Sequence, residues 1–437
     1  MKRLVVFLSC WLAVGATVSG VASAQTVEEL SKRIEVLEAR EASAAAGTTV
    51  PDFLTKMGSM LKIYGFLRVD GVYDTSELSD TQVGVFVRSE DPTTGQSQDD
   101  DDFSLYTRLT RLGLDLVGPN VGKAQLTGKV EVDFYGFLNS DSRNDLRMRH
   151  AYLKIGTDNC SLLAGQTSDL ISPLFPSVNP DLINWNIGNL GDRRPQVRLG
   201  YHPKINDSTR VIFEIAASLK GAIDGGNFDA DGVLDGEDSG LPLLQGRAAL
   251  RTRLLGSTDT EVGVWVARGW DEFDLAAAQA AGTVGAGVTT DEFDTYVFGI
   301  DARVPLVSDS VWLQGEAWRG SNLDDLRGGV GQGVNATAGD EIEAMGFWAE
   351  LNVKPKPWLT TFAGYSVDNP DRTDLLVATV ARPNQGIDHN QMVYCGANVS
   401  YWKPVVFGCD YSYIETRFRG LDEGFGSRFR LFIQYNF

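Results

Sequence analysis

Counted back from the carboxyl end in steps of two, Phe437, Tyr435, Ile433, Leu431 and Phe429 form a wholly apolar row. The residues between them, Asn436, Gln434, Phe432, Arg430 and Arg428, are mostly polar. Such period-two alternation is the pattern of a β-strand whose faces meet different environments. The pattern recurs upstream, where Val130, Val132 and Phe134 alternate with Lys129, Glu131, Asp133 and Tyr135, and Val262, Val264 and Val266 alternate with Glu261, Gly263 and Trp265. It predicts strands near 61–74, 103–117, 123–138, 146–156, 160–166, 196–203, 208–219, 244–254, 260–270, 293–304, 310–319, 343–354, 358–368, 389–401, 404–415 and 427–437, about sixteen in all.

The connections alternate too. Short turns at 118–122, 157–159, 203–207, 256–259, 305–309 and 355–357 take turns with long, polar, Gly- and Asp-rich segments such as 75–102, 220–243, 271–292, 320–342 and 369–388. Short turns on one side and long loops on the other, joined by an even number of strands, are the layout of a transmembrane antiparallel β-barrel. A soluble sandwich would instead bury its apolar faces against a second sheet. The fold expected for residues 61–437 is therefore an all-β barrel of about sixteen strands. Its apolar faces would meet lipid, and its lumen is wide enough to be aqueous.

The amino-terminal segment sets the compartment. Residues 1–24 carry a basic start at Lys2 and Arg3, an apolar run from Leu4 to Val18, and Ala22-Ser23-Ala24 before Gln25, the layout of a cleaved secretory signal. Lipidation at Cys10 is the less favoured alternative, because the apolar stretch before it is short. Residues 25–46 follow, with Val27, Leu30, Ile34 and Leu37 in a 3-4-3 spacing that suits either a short coiled-coil helix in the periplasm or a solvated helical spacer. Residues 47–60, with Pro51, form a linker. Beyond the signal no stretch approaches the ~20 apolar residues of a spanning helix. The formal charge of -19 becomes -21 once Lys2 and Arg3 are removed, which argues against a nucleic-acid partner. Cys160, Cys395 and Cys409 are too few for a disulfide framework, and although Cys395 and Cys409 could be cross-strand neighbours they are expected to be free thiols.

Residues 167–195 are far more than a hairpin needs, and they hold Pro173, Pro176, Pro180, Leu170, Phe175 and Trp185 beside Asp169, Asp181, Asn184 and Asp192. So many apolar anchors predict a loop folded back into the barrel as a constriction, the alternative being a loop packed on a neighbouring subunit. Inward parity places Arg111, Arg147, Arg149, Arg198, Arg247, Arg251 and Arg253 around it, with Arg193 and Arg194 at its exit. Guanidinium groups arrayed like this grip carboxylates bidentately. Paired with Asp115, Asp145 and Glu131 they would instead stiffen the wall.

In "NFDADGVLDGED" the residues Asn227, Asp229, Asp231, Gly232, Asp235 and Asp238 stand at positions 1, 3, 5, 6, 9 and 12, the ligand spacing of a calcium loop. Asp in place of Glu at the last position weakens the match, and a plain acidic solvated loop is the competing reading. No other cofactor is expected. Catalytic signals are scarce: His150, His202 and His389 stand near no nucleophile, and no Gly-x-Ser-x-Gly is present. The chain is not expected to be an enzyme, which leaves a diffusion channel or, as the alternative, a tether or adhesin whose barrel is only an anchor.

Three stretches resemble the DcaP-like porins: "LKIYGFLRVDGVYD", "LLAGQTSDLISPLFPS" and "NLGDRRPQVRLGY". The resemblance implies a homotrimer in the bacterial outer membrane with an N-terminal periplasmic helix. It also implies passive diffusion of small solutes, often anions such as dicarboxylates. The terminal aromatic resembles the signal read by the outer-membrane barrel-assembly machinery. Ser168 stands where the family commonly has an aromatic, which bears on pore-loop packing.

Overall fold

The computed structural model describes residues 60–80, 82–94, 101–136, 144–178, 183–224, 226–255 and 258–437. The expected signal, helix and nearly all of the linker lie outside the described residues, as does Asp181. The strands are Leu61–Asp74 (β1), Asp102–Tyr106 (β2), Arg111–Val121 (β3), Ala124–Asp133 (β4), Arg147–Gly156 (β5), Cys160–Ser168 (β6), Arg193–Tyr201 (β7), Thr209–Ser218 (β8), Leu243–Leu255 (β9), Thr258–Glu272 (β10), Glu292–Val307 (β11) and Val311–Ser321 (β12). A small external pair, Val334–Asn335 (β13) and Asp340–Glu341 (β14), precedes Glu343–Lys356 (β15), Leu359–Pro370 (β16), Ile387–Val399 (β17), Val405–Phe418 (β18) and Gly424–Asn436 (β19).

Leaving out β13 and β14, these form one sheet of seventeen segments that closes on itself, because β1 pairs antiparallel with β19 from Phe66 opposite Asn436 to Asp74 opposite Arg428. β2 and β3 are halves of one stave, since β2 pairs with the end of β1 and β3 with its beginning, so the barrel has sixteen staves. The pattern had predicted a single strand over 103–117. The ladder breaks at 107–110 because Thr110 turns back to Thr107, and its hydroxyl accepts from the Arg68 amide at 3.1 Å.

Alternation places the two faces as physics demands of a strand in lipid. On β10, Val262, Val264 and Val266 are 49 to 55% exposed on the outer face, whereas Trp265 between them is 1% exposed and points inward. The last residue joins the ladder through Gly65, with N–H to O distances of 3.1 and 3.0 Å. The ring of Phe437 covers the bare Cα of Gly65, where an added Cβ would sit 2.9 Å from it. At the short-turn end Trp358, Tyr401, Trp402 and Phe407 make a chain of edge-on contacts, as an interfacial aromatic belt does. Cys395 lies opposite Tyr411 and Cys409 opposite Ala397, and all three described cysteines are free and exposed.

The long loops also pack. Phe228, Phe273, Phe293, Val284 and Val288 form an external apolar cluster around the helix α2 (Leu275–Ala281), whose N-cap Asp274 accepts from the Ala277 amide. A single helical turn, α1 (Asp235–Asp238), lies in the preceding loop.

Candidate pore constriction

The described parts of the segment 169–192, residues 169–178 and 183–192, fold back against the inner wall and are held there by two kinds of contact. The first is apolar. Ile171 and Leu190 pack with Leu243, Trp265, Val297, Trp318, Leu323, Leu326 and Ala344. Val178 and Ile187 pack with Phe362, Met392, Tyr394 and Ile414. An apolar strip thus runs along part of the lumen, and it is where the loop docks. Aqueous lumens are ordinarily polar, and alternation alone predicts charges on this face; the docked loop is the reason part of it is apolar.

The second kind is polar. Trp318 donates from Nε1 to the Gly188 carbonyl at 2.7 Å, and Asn390 donates to the Asn186 carbonyl at 2.9 Å. Glu316 accepts from the Leu174 amide at 2.8 Å and from the Ser172 hydroxyl. Glu350 accepts from the amide and the hydroxyl of Ser177, each at 2.7 Å. Glu316 and Glu350 are buried wall carboxylates with no cationic partner among the described residues, so they are satisfied by these loop donors together with Trp348, which donates to Glu316, and Gln314 and Asn352, which donate to Glu350. Gly188 sits at φ 112°, and a Cβ there would come 2.4 Å from the Phe347 carbonyl oxygen.

The expected site residues fall into separate groups. Arg111, Arg147 and Arg149 line the β3–β5 wall, where Arg147 pairs with Asp133 at 2.7 Å, Arg149 with Glu131 and Asp133 at 2.7 and 2.8 Å, and Arg111 with Glu131 at 3.5 Å. The β4–β5 register shifts here, so Glu131 faces His150 while Val132 faces Met148; Arg149 bulges, and it and Arg147 both reach inward carboxylates. Arg193 pairs with Asp192 at 3.5 Å, and Arg327 shares Asp192 at 2.9 Å. Both guanidinium groups stack on the Trp185 ring. Arg198 donates to Gln196 and to the Ser168 carbonyl and makes no carboxylate pair among the described residues.

Arg194 was expected beside Arg193 at the loop's exit but is fully buried between Asp169 at 3.1 Å and Asp325 at 2.7 Å. Asp325 also accepts from the amides of Gly221 and Ile223, so this knot ties the constriction loop to two external loops. Asp169, Asp192 and Asn184 are likewise buried and do not form an exposed acidic face opposite the arginines. On the other wall Arg247 pairs with Asp301 at 2.6 Å and Glu261 at 2.8 Å, and Arg251 pairs with Glu261 at 2.5 Å. Arg253, at the short-turn end, pairs with exposed Asp259 at 3.3 Å. Parity alone gave no sign of Arg327, Asp325, Glu316 or Glu350, because their roles depend on which loop lies over them.

In the external loop the carboxylate oxygens of Asp229, Asp231 and Asp238 lie within 4.8 Å of one another. Asp235, expected among these ligands, instead turns inward with α1 and accepts from the Phe228 amide at 3.0 Å. The Asn227 side-chain oxygen is buried without a hydrogen-bond partner.

A closed sixteen-stave barrel with one loop folded into its lumen defines the class of outer-membrane channels. The family model described as DcaP outer membrane protein matches residues 28–247, half of the chain. The chain belongs to the DcaP outer membrane protein family and is an outer-membrane porin. Among solved structures it is similar to the outer membrane channel DcaP of Acinetobacter baumannii, with 20% identity over 86% of this chain and 97% of that one and a TM-score of 0.64. It is also similar to an anion-selective porin from Comamonas acidovorans, with 11% identity, 86% and 99% coverage and a TM-score of 0.53. OmpT of Vibrio cholerae in its trimer form is similar at 12% identity, 86% and 99% coverage and a TM-score of 0.50. Comparison with curated proteins finds no match.

Gly188→Ala should loosen the docked loop by about 1–3 kcal/mol through backbone strain and collision with Phe347. Single-channel conductance should rise while the barrel still shows heat-modifiable migration; unaltered conductance would mean that the loop does not narrow the pore. In the external cap, burial raises the Asp235 carboxyl to about 7, with the charges of Asp271, Asp229 and Asp224 adding to it. Between the unfolded value of ~4 and 7 the folded form holds the proton that the unfolded form has lost, so cap stability falls as pH rises through that window. Proteolysis of the external loops should therefore be slower at pH ~5 than at pH ~8, and Asp235→Asn should flatten the difference. An equal pH response in the variant would remove Asp235 from this account.

Proposed function

We propose that this porin favours small anions, carboxylates especially, and works as a homotrimer. The observation that carries the charge preference is the balance on the arginine wall. Arg111, Arg147, Arg149, Arg193 and Arg327, five guanidinium groups, share three carboxylates, those of Glu131, Asp133 and Asp192. The local excess of two positive charges lies beside the docked loop, where a permeating solute passes. Weak, multiple sites of this kind let an ion enter and leave. The likeness to an anion-selective porin and to a trimeric outer-membrane protein supports both parts of the reading. The tether or adhesin alternative predicts no conductance.

A planar bilayer under a salt gradient tests it. The wild-type reversal potential should report anion preference, and Arg147→Ala with Arg149→Ala, which cancels the excess, should move it toward cations. The trimer should be checked first for heat-modifiable migration, since the double change leaves Asp133 buried and unpaired. A cation-selective wild type, or a double variant with unmoved selectivity, would end the proposal.

A second reading concerns the external loop, where convergence of Asp229, Asp231 and Asp238 favours a calcium ion. Affinity should be modest, ~10⁻⁴ to 10⁻³ M as in extracellular modules. Calcium should slow proteolysis of residues 227–238 in the wild type and not in the Asp229→Ala, Asp231→Ala variant. Equal cleavage of the wild type with and without calcium would show a solvated acidic loop.

A further inference from the structure

A recess of about 480 Å³ lies between the constriction loop and the β9–β11 wall, lined by Pro173, Leu174, Arg247, Arg251, Asp259, Glu261 and Arg303. It belongs to the half of the lumen nearer the short turns, since Arg251 and Arg303 stand four residues before the ends of β9 and β11. Arg147 and Arg193 of the arginine wall open β5 and β7 at their long-loop ends, so the two basic regions sit at different depths.

The charges in the recess are unevenly matched. Both Glu261 oxygens are taken, one by Arg247 at 2.8 Å and the other by Arg251 at 2.5 Å. Arg247 is further neutralised by Asp301 at 2.6 Å. Asp259 accepts from Arg253. Arg303 faces Glu261 directly in the β10–β11 register, yet Glu261 is turned to the β9 arginines. Among the described residues Arg303 makes no hydrogen bond or ion pair; its guanidinium carbon lies over the Trp312 ring, 5.5 Å from the centroid, and its Nε is buried without an acceptor.

A planar fork of donors beside an indole, with no carboxylate of its own among the described residues, lacks an anionic partner of complementary shape. The opposite side of the recess, Pro173 and Leu174, offers apolar surface. Apolar lining with a few convergent polar groups is the make-up of a small-molecule site. We propose that this recess is a docking station for a monocarboxylate bearing an apolar body, with Arg303 as its specificity-determining residue. The carboxylate meets the free guanidinium, with Arg251 alongside, and the apolar body lies against Leu174 and Pro173. This rests on the anion reading above and adds a second, chemically distinct station on the far side of the constriction.

The test uses benzoate and acetate on the full-length trimer in planar bilayers. Benzoate should interrupt the wild-type current with residence several-fold longer than acetate. Arg303→Gln should shorten benzoate residence roughly tenfold, the loss expected for one charge-assisted contact. Arg303→Lys, which keeps the charge and loses the fork, should fall between. Leu174→Ser should abolish the preference for benzoate over acetate. If Arg303→Gln fails to insert, Arg303→Lys and Leu174→Ser read the same recess. Benzoate residence unchanged in the variants that insert, or equal residence of the two acids in the wild type, would overturn the proposal. The two readings fail separately: a cation-selective wild type removes the anion preference, whereas an anion-selective channel blind to Arg303 and Leu174 removes only the recess.

Discussion

A backbone in hydrocarbon has no water to bond with, so every N–H and C=O must find a partner within the sheet. That constraint organises this molecule. The ladder between β1 and β19 leaves no free edge, and closure fixes the parity of each stave, sending one residue in two to lipid and the next to the lumen. Departures from the ladder are local register shifts within six of the strand pairings. At Thr110 a hydroxyl replaces a strand partner, and at Arg149 a bulge brings an extra guanidinium to the lumen without opening the sheet.

Inside the barrel water is available, and packing follows other rules. The constriction loop has two demands that a hydrated lumen would not meet: burial of Ile171, Val178, Ile187 and Leu190, and acceptors for its irregular backbone. The wall supplies both, an apolar strip of Trp265, Val297, Trp318, Phe362 and Met392 and the lone carboxylates Glu316 and Glu350. Since a buried carboxylate with no donors is costly, loop and wall each satisfy the other. The Arg194–Asp325 knot then couples the docked loop to the external cap, so the inner loop and the outer loops pack as one structure.

This division explains what could be read from the chain. Stave number and orientation rest on local alternation, which Phe429 to Phe437 or Val262 to Val266 display in sequence, and they were legible with errors of a few residues at strand ends. That the segment after β6 would dock on the barrel instead of waving in water was legible from its length and apolar content. Which wall would receive it was not, because Glu316, Trp318 and Tyr394 look like ordinary inward residues until a distant loop lies on them. Arg194 illustrates the limit: its parity matches Arg198, yet Asp325, more than a hundred residues away, buries it.

A strongly acidic chain can still present anions with a basic passage, because charge acts locally once water and salt screen it beyond about 10 Å. Nor does pairing silence an arginine. A guanidinium has five N–H donors and a carboxylate engages two of them at most. Arg147 and Arg149 share Asp133, whose own exposure is negligible, while the Arg147 side chain stays 29% exposed and that of Arg149 11%. Such burial of the counter-charge keeps the arginines ordered, and under the proposed anion preference Arg147, the more exposed of the two, would be the one to meet a solute. Under that proposal the same geometry would weaken binding, since Asp133 holds part of each cation and a solute would have to compete with it. Arg303, lacking such a counter-charge, is the one described lumen arginine on its wall where that competition is absent.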